Sequence, residues 1–259
     1  MFRVVIPARF DSSRLPGKVL LPIAGRPMLQ WVCERARASG AAQVVVATDD
    51  ERIRSCAAEA GVECVMTASS HVSGTDRIAE ASRTLGWGPT DVIVNLQSDE
   101  PLMPPALIGQ VARLLQDHAD ADVATLAAPI TSAAEFLDPN AVKVVLAADG
   151  RALLFSRAPI PWDRDGAVGD APGPHAHVGA LRHIGLYAYR VASLLRISQL
   201  PPAELETREK LEQLRALANG LQIRVAIASS RPGVDVNTPG DLARIRALLE
   251  SSAAAANQI

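Results

Sequence analysis

Apolar residues in this chain come in short runs separated by polar breaks. Val4, Val5 and Ile6 form a run too short for a helix, closed by Pro7, which has no N–H to give to a sheet ladder; a buried strand is predicted over residues 4–6. Residues 44–47 repeat the pattern. There Thr48, Asp49 and Asp50 supply caps for a helix carrying Ile53, Cys56, Ala57 and Ala60 at 3.6-residue spacing, ended by Gly61. Strands follow at 62–66 and 92–96, and helices at 75–85 and 101–115. Repeated strand–helix units joined by right-handed crossovers predict an α/β, Rossmann-like, mostly parallel sheet with helices on both faces. Its ligand crevice lies at the carboxyl ends of the strands.

The pattern changes near residue 140. Apolar runs at 141–146 and 152–155 flank Asp149-Gly150, a strong hairpin signal, so a mixed-sheet insertion is predicted here. Pro and Gly scattered through 158–180 predict a long flexible loop, read as a lid. Strands at 184–189 and 222–227, helices at 206–217 and 239–249, and a frayed Ala/Ser tail complete the reading.

At 259 residues and 48% hydrophobic content, the chain can bury one large core, and residues 1–259 read as a single domain. A net charge of −2 argues against a nucleic-acid or membrane-surface binder. Cys33, Cys56 and Cys64 form no C-x-x-C pair and read as buried reduced thiols. No apolar run reaches membrane-spanning length and the N-terminus lacks a signal-peptide pattern, so a cytoplasmic protein is expected.

The positive charge is local. Behind the first strand, Arg9, Arg14 and Lys18 follow at intervals of five and four residues, and Pro16-Gly17 breaks any helix between them. Two guanidinium forks and an ammonium suit a triphosphate; a plain solvated loop is the alternative. The loop is not a Walker motif, because Ser12 and Val19 stand where Gly and Ser/Thr belong. Gly86-Trp87-Gly88 is not a dinucleotide fingerprint, because Asp91 replaces its third Gly. A second cluster, Asn95 to Pro101, also ends an apolar strand. Asp99 there suits Mg²⁺ beside phosphate oxygens, or else caps the next helix.

Several runs together resemble the 3-deoxy-manno-octulosonate (Kdo) cytidylyltransferase family. They are the N-terminal loop, Asn95 to Pro101, Phe155-Ser156-Arg157 through Pro161-Trp162-Asp163-Arg164-Asp165, Arg182-His183-Ile184-Gly185-Leu186-Tyr187, and Leu211-Glu212-Gln213-Leu214-Arg215. The resemblance spans nearly the whole chain and implies a nucleotide-diphospho-sugar transferase type of fold. It further implies transfer of CMP from CTP to Kdo with Mg²⁺, giving pyrophosphate and CMP-Kdo, the latter for lipopolysaccharide synthesis, and a homodimer. Residues of about 140–220 would form its sugar-binding and dimerisation lobe.

By the same resemblance Arg9, Lys18 and Asp99 are catalytic. Pro7, Ala8, Arg9, Arg14, Lys18, Ser73, Gly74, Arg77 and Gln97 would hold the nucleotide. Arg157, Arg164, His183, Tyr187, Glu212 and Gln213 would hold the sugar acid. Asp99 and Asn237, helped by Asp235, would hold the metal. Each sugar residue also has a plainer reading: Glu212, for one, could pair with Arg208 or Arg215 on an exposed helix.

The chain departs from the family in having Ser98 where Gly precedes the metal-binding Asp, and Asn237 where a second Asp ligand stands. Weaker or altered Mg²⁺ handling is therefore expected. A paralogue acting on another acidic sugar, such as 8-amino-Kdo or a sialic-acid-like substrate, and a non-catalytic binder of CTP or sugar remain alternatives.

Overall fold

The protein is described by a computed structural model covering residues 1–11, 15–167 and 171–256, with side chains to residue 249. β1 (Arg3–Pro7) leads through a 3-10 turn (Lys18–Leu20) and a small hairpin, β2 (Pro22–Ile23) and β3 (Arg26–Pro27), into α1 (Met28–Arg37). The alternation continues with β4 (Gln43–Thr48), α2 (Glu51–Glu59), β5 (Glu63–Met66), α3 (Gly74–Thr84), β6 (Val92–Asn95), α4 (Pro105–Asp117) and β7 (Val123–Pro129). Then come α5 (Ala133–Leu137), β8 (Lys143–Leu146), β9 (Ala152–Ser156), β10 (Leu181–Arg190), α6 (Val191–Gln199), α7 (Glu204–Glu209), α8 (Gln213–Ala218), β11 (Ile223–Ile227) and α9 (Pro239–Ala256).

The main sheet has the order β11-β7-β10-β6-β1-β4-β5, with the β8–β9 hairpin branching from β10. β1, β4, β5 and β6 run parallel, as do β7 and β11, whereas β10 is antiparallel to β6, β7 and β8. Side chains of β1 alternate between two cores: Val4 and Ile6 enter one, Val5 the other. A central parallel strand is covered on both faces, which is why it reads as a continuous apolar run. The mostly parallel sheet and the mixed-sheet branch are as expected.

Several boundaries differ from the periodic reading. The helix expected at 101–115 begins at Pro105, because residues 97–103 turn back on themselves through Glu100 N–H to Gln97 O and Met103 N–H to Glu100 O. Pro105 then takes the first helical position, where a missing N–H costs nothing. The helix expected at 206–217 is two helices, since Lys210 adopts a left-handed φ of 55° between α7 and α8. α9 runs on to Ala256, consistent with the high helix propensity of alanine, where a frayed tail was expected. α1, β7 and α6 are elements the sequence patterns had not marked. Residues 158–167 and 171–180 carry no helix or extended strand, and Ala176 and Ala180 anchor that segment against Ile130 and Phe136. Cys33, Cys56 and Cys64 are free, the first two buried and Cys64 half-buried.

Candidate active site

Pro7, Thr48 and Asn95 end neighbouring parallel strands at one edge of the sheet. The cationic loop starts there. Gly17 N–H returns to Phe10 O at 3.1 Å, and Lys18 opens the 3-10 turn beyond it. Gly17 has φ +65°, and a Cβ there would meet the Phe10 ring at 3.0 Å. The Arg52 guanidinium covers the same ring, 3.4 Å from its centroid. Phe10 is thus a wedge that sets the height of Lys18, whose Nζ lies 2.8 Å from Asp99 Oδ2. Arg9 is exposed, with Nη1 3.5 Å from Val72 O; Arg14 lies outside the described residues. Gly17→Ala is expected to cost about 1–2 kcal/mol of stability, through left-handed strain and the ring contact, and to raise the KM for the nucleotide. Urea unfolding and steady-state kinetics measure both.

Residues 233–237 lie against the turn that carries Asp99. Val236 N–H donates to Asp99 O at 2.9 Å, and Gly233 permits the approach because a Cβ would sit 2.5 Å from Leu102 O. Val236 points inward, while Asn237 donates through Nδ2 to the Asp235 carboxylate. Beneath them, Glu100 Oε2 is enclosed without a hydrogen-bond partner among the described residues. Burial, then the charges of Asp99 and Asp235, push the Glu100 carboxyl up to about 8. Negative charge is concentrated here.

Lys18, Asp99 and Asn237 border the first of two adjoining cavities. The first, about 240 Å³, is lined by Pro7, Ala8, Asp11, Lys18, Asp99 and Asn237 among others. The second, about 220 Å³, includes Asn95, Tyr187, Tyr189, Glu212 and Gln213, and both share Arg9, Ser73, Gly74 and Gln97. The second opens where β10 changes partners: Tyr187 to Arg190 pair with β6, whereas Leu181 and Arg182 pair with β8. Ser73 caps α3, accepting from Asp76 N–H, so that helix N-terminus and its partial positive charge face the shared wall.

Thr75 donates to Glu212 Oε2 at 2.9 Å; although much of Glu212 is exposed, desolvation at its carboxyl raises the pKa. The Tyr187 and Tyr189 rings stack 5.8 Å apart, and burial keeps both phenols protonated. Arg215 also lines this lobe, gripped by Glu206 at 2.9 and 2.6 Å.

The description "Cytidylyltransferase" belongs to the family model that matches residues 3–223. The chain belongs to the cytidylyltransferase family. A 3-deoxy-manno-octulosonate cytidylyltransferase of Thioalkalivibrio sulfidiphilus is 51% identical over 96% of this chain and 99% of its own length. Its counterpart in Cellvibrio japonicus is 53% identical over 96% and 98% respectively. The solved structure of CMP:2-keto-3-deoxy-manno-octonic acid synthetase complexed with CTP superposes with a TM-score of 0.86 at 41% identity, covering 97% of this chain and all of that one.

Within this cytidylyltransferase fold, Pro7, Ala8, Arg9, Lys18, Ser73, Gly74, Arg77, Gln97, Asp99, Tyr187, Glu212, Gln213 and Asn237 all border the two lobes. Arg77 is buried and tied to Asp49 and Thr67, so its charge is already compensated. Asp235 sits behind Asn237 and borders neither cavity. Three of the residues expected to hold the sugar lie elsewhere. Arg157 is held by Glu209 O and Pro139 O, and Arg164 stands exposed in the 158–167 segment. His183 is buried at a bulge of β10, where Thr125 Oγ1 lies 2.9 Å from its Nε2 and within 3.0 Å of the Ile184 and Leu186 carbonyl oxygens.

Burial also lowers His183 to about 3. Between pH 6.5 and that value the unfolded chain takes up a proton that the folded chain refuses, so stability falls as pH drops through this window. His183 by itself contributes a loss of about 2 kcal/mol from pH 7 to 5, and the raised Glu100 carboxyl acts in the opposite sense over the same range, so the His183 share is read as the difference between wild type and His183→Gln in urea unfolding at the two pH values.

Sequence reasoning assigned no role to Asn95, Tyr189 or Glu206, and placed Thr75 only within the 73–77 turn expected near the nucleotide. Tyr189 was within reach, because it shares a strand face with Tyr187. Arg215 pairs with Glu206 and not with Glu212, whose carboxylate accepts from Thr75 instead; the left-handed turn at Lys210 removes the helical spacing between Arg208 and Glu212.

Proposed function

We propose that the protein transfers CMP from CTP to the anomeric hydroxyl of 3-deoxy-manno-octulosonate, releasing pyrophosphate and supplying an activated sugar for lipopolysaccharide synthesis. What carries this reading is the near 50% identity, over almost the whole of both chains, to relatives bearing that activity's name. The two-lobed cleft supports it. The lobe with Lys18, Arg9 and the α3 N-terminus has the donors for a triphosphate. The lobe with Tyr187, Glu212 and Gln213 offers phenol, carboxylate and amide groups to a polyhydroxy acid.

Attack by the anomeric oxygen forms the new P–O bond at the α-phosphorus as the bond to pyrophosphate breaks. Lys18 lines the first lobe beside Asp99, where its charge favours the departing pyrophosphate over bound CTP. Arg9, bordering both lobes, aligns the nucleotide with the sugar. Arg14 joins them on the strength of sequence alone.

The donor set fits Mg²⁺, which takes one or two carboxylates with phosphate oxygens and waters, and the unpartnered Glu100 oxygen beside Asp99 and Asp235 fits an added cation. Asp99 would hold the ion with help from Asn237 and Asp235. When bound, it supplies Lewis-acid charge that makes the anomeric hydroxyl more acidic. Arg157, Arg164 and His183 would touch the sugar only after the β9 and β10 surroundings rearrange.

A homodimer is the proposed assembly: Leu153 and Leu154 lie exposed on β9, an edge strand, within the lobe of residues about 140–220. A cytoplasmic location suits a chain in which no described helix is long and apolar enough to cross a membrane. Pyrophosphate release with Mg²⁺ tests the reading, with CTP set against UTP and ATP, and Kdo against 8-amino-Kdo and sialic acid. Release with CTP and Kdo alone supports it. Preference for another sugar moves the assignment to a paralogous activity, and silence with CTP binding intact overturns catalysis.

A further inference from the structure

Asn95 ends β6 in the register opposite Tyr187 of β10, so the two side chains share a sheet face. It is 2% exposed, yet it borders the second lobe. Its Oδ1 is enclosed and has no hydrogen-bond partner among the described residues. An unsatisfied buried amide is costly to a folded protein, and one beside a cavity is relieved when a ligand supplies the missing partner.

The chemistry of that partner follows from the neighbours. An orphaned carbonyl oxygen calls for a donor, which excludes a carboxylate oxygen and favours a hydroxyl. The surrounding Tyr187, Tyr189, Thr75 and Glu212 are likewise groups that match hydroxyls, whereas Arg9 supplies a cation for an acid group.

We propose that Asn95 is a specificity-determining residue that binds a hydroxyl of the sugar acid and that its amide is left unsatisfied until the sugar arrives. The inference rests on assigning the second lobe to the sugar.

Asn95→Leu keeps the size and removes the hydrogen bonding. It is expected to raise the KM for Kdo roughly 10- to 100-fold, leaving the KM for CTP within about twofold. Because it removes an unpartnered polar group, the ligand-free variant is expected to melt no lower than the wild type. Among monodeoxy analogues of Kdo, one is expected to be discriminated against by the wild type and accepted by Asn95→Leu as readily as Kdo itself.

An unchanged KM for Kdo, or a variant that unfolds at lower temperature or does not fold, overturns the role of Asn95, the latter because the amide would then be a structural bond. Discrimination retained against every analogue overturns it too. A wild type inert towards CTP and Kdo overturns the activity itself, an outcome read before any variant is made.

Discussion

Lys18→Met lowers kcat/KM for CMP transfer by roughly 10³-fold, about 4 kcal/mol of transition-state stabilisation. Its ammonium lies 2.8 Å from Asp99 in the first lobe, next to the hydrogen bond from Gly17 N–H to Phe10 O. A preorganised donor aimed where charge develops contributes about 10²–10³ when neutral, and a cation at a phosphoryl centre contributes more. The loss falls mainly on kcat, because Arg9 and the α3 N-terminus remain to bind the triphosphate. Lys18→Arg recovers little of it, since a planar fork does not replace a compact point charge in a fitted site. Pyrophosphate release together with CTP calorimetry separates the two effects. A kcat within tenfold of wild type would remove Lys18 from the reaction.

Asp99→Asn is expected to reduce turnover by at least roughly 10³-fold and to abolish the rise in activity with Mg²⁺. The side chain is nearly isosteric, so the backbone bond from Val236 to Asp99 O persists and the fold stays intact. What changes is charge: Asn237 already offers only an amide, leaving Asp235 as the remaining carboxylate beside it. Mn²⁺ binding in the presence of CTP, followed by electron paramagnetic resonance, reads the same loss without turnover. Retained Mn²⁺ affinity would place the metal on other ligands and leave Asp99 as the counter-charge of Lys18.

The functional elements most legible in the sequence are those whose chemistry is contiguous. The 4–18 run showed its strand, its break and its cations because the loop is closed by its own residues, Gly17 to Phe10. Asp99 was legible for the same reason, sitting one turn beyond a buried strand. Arg157 and His183 were not. Each side chain satisfies itself with groups distant in the chain: Arg157 with Glu209, His183 with Thr125. Local pattern carries no trace of such partners.

The sequence by itself determined the alternation of strands and helices, the mostly parallel sheet, and the loop chemistry at its carboxyl edge. Those follow from hydrophobic period, Pro and Gly, which act within a few residues. Only the tertiary structure decided which side chains face a cavity and which are spent on other groups. It split 206–217 at Lys210, paired Arg215 with Glu206, opened the second lobe where β10 leaves β6 for β8, and left Asn95 Oδ1 without a hydrogen-bond partner among the described residues. Burial and hydrogen-bond satisfaction are sums over neighbours brought together by folding, so no single stretch of chain contains them.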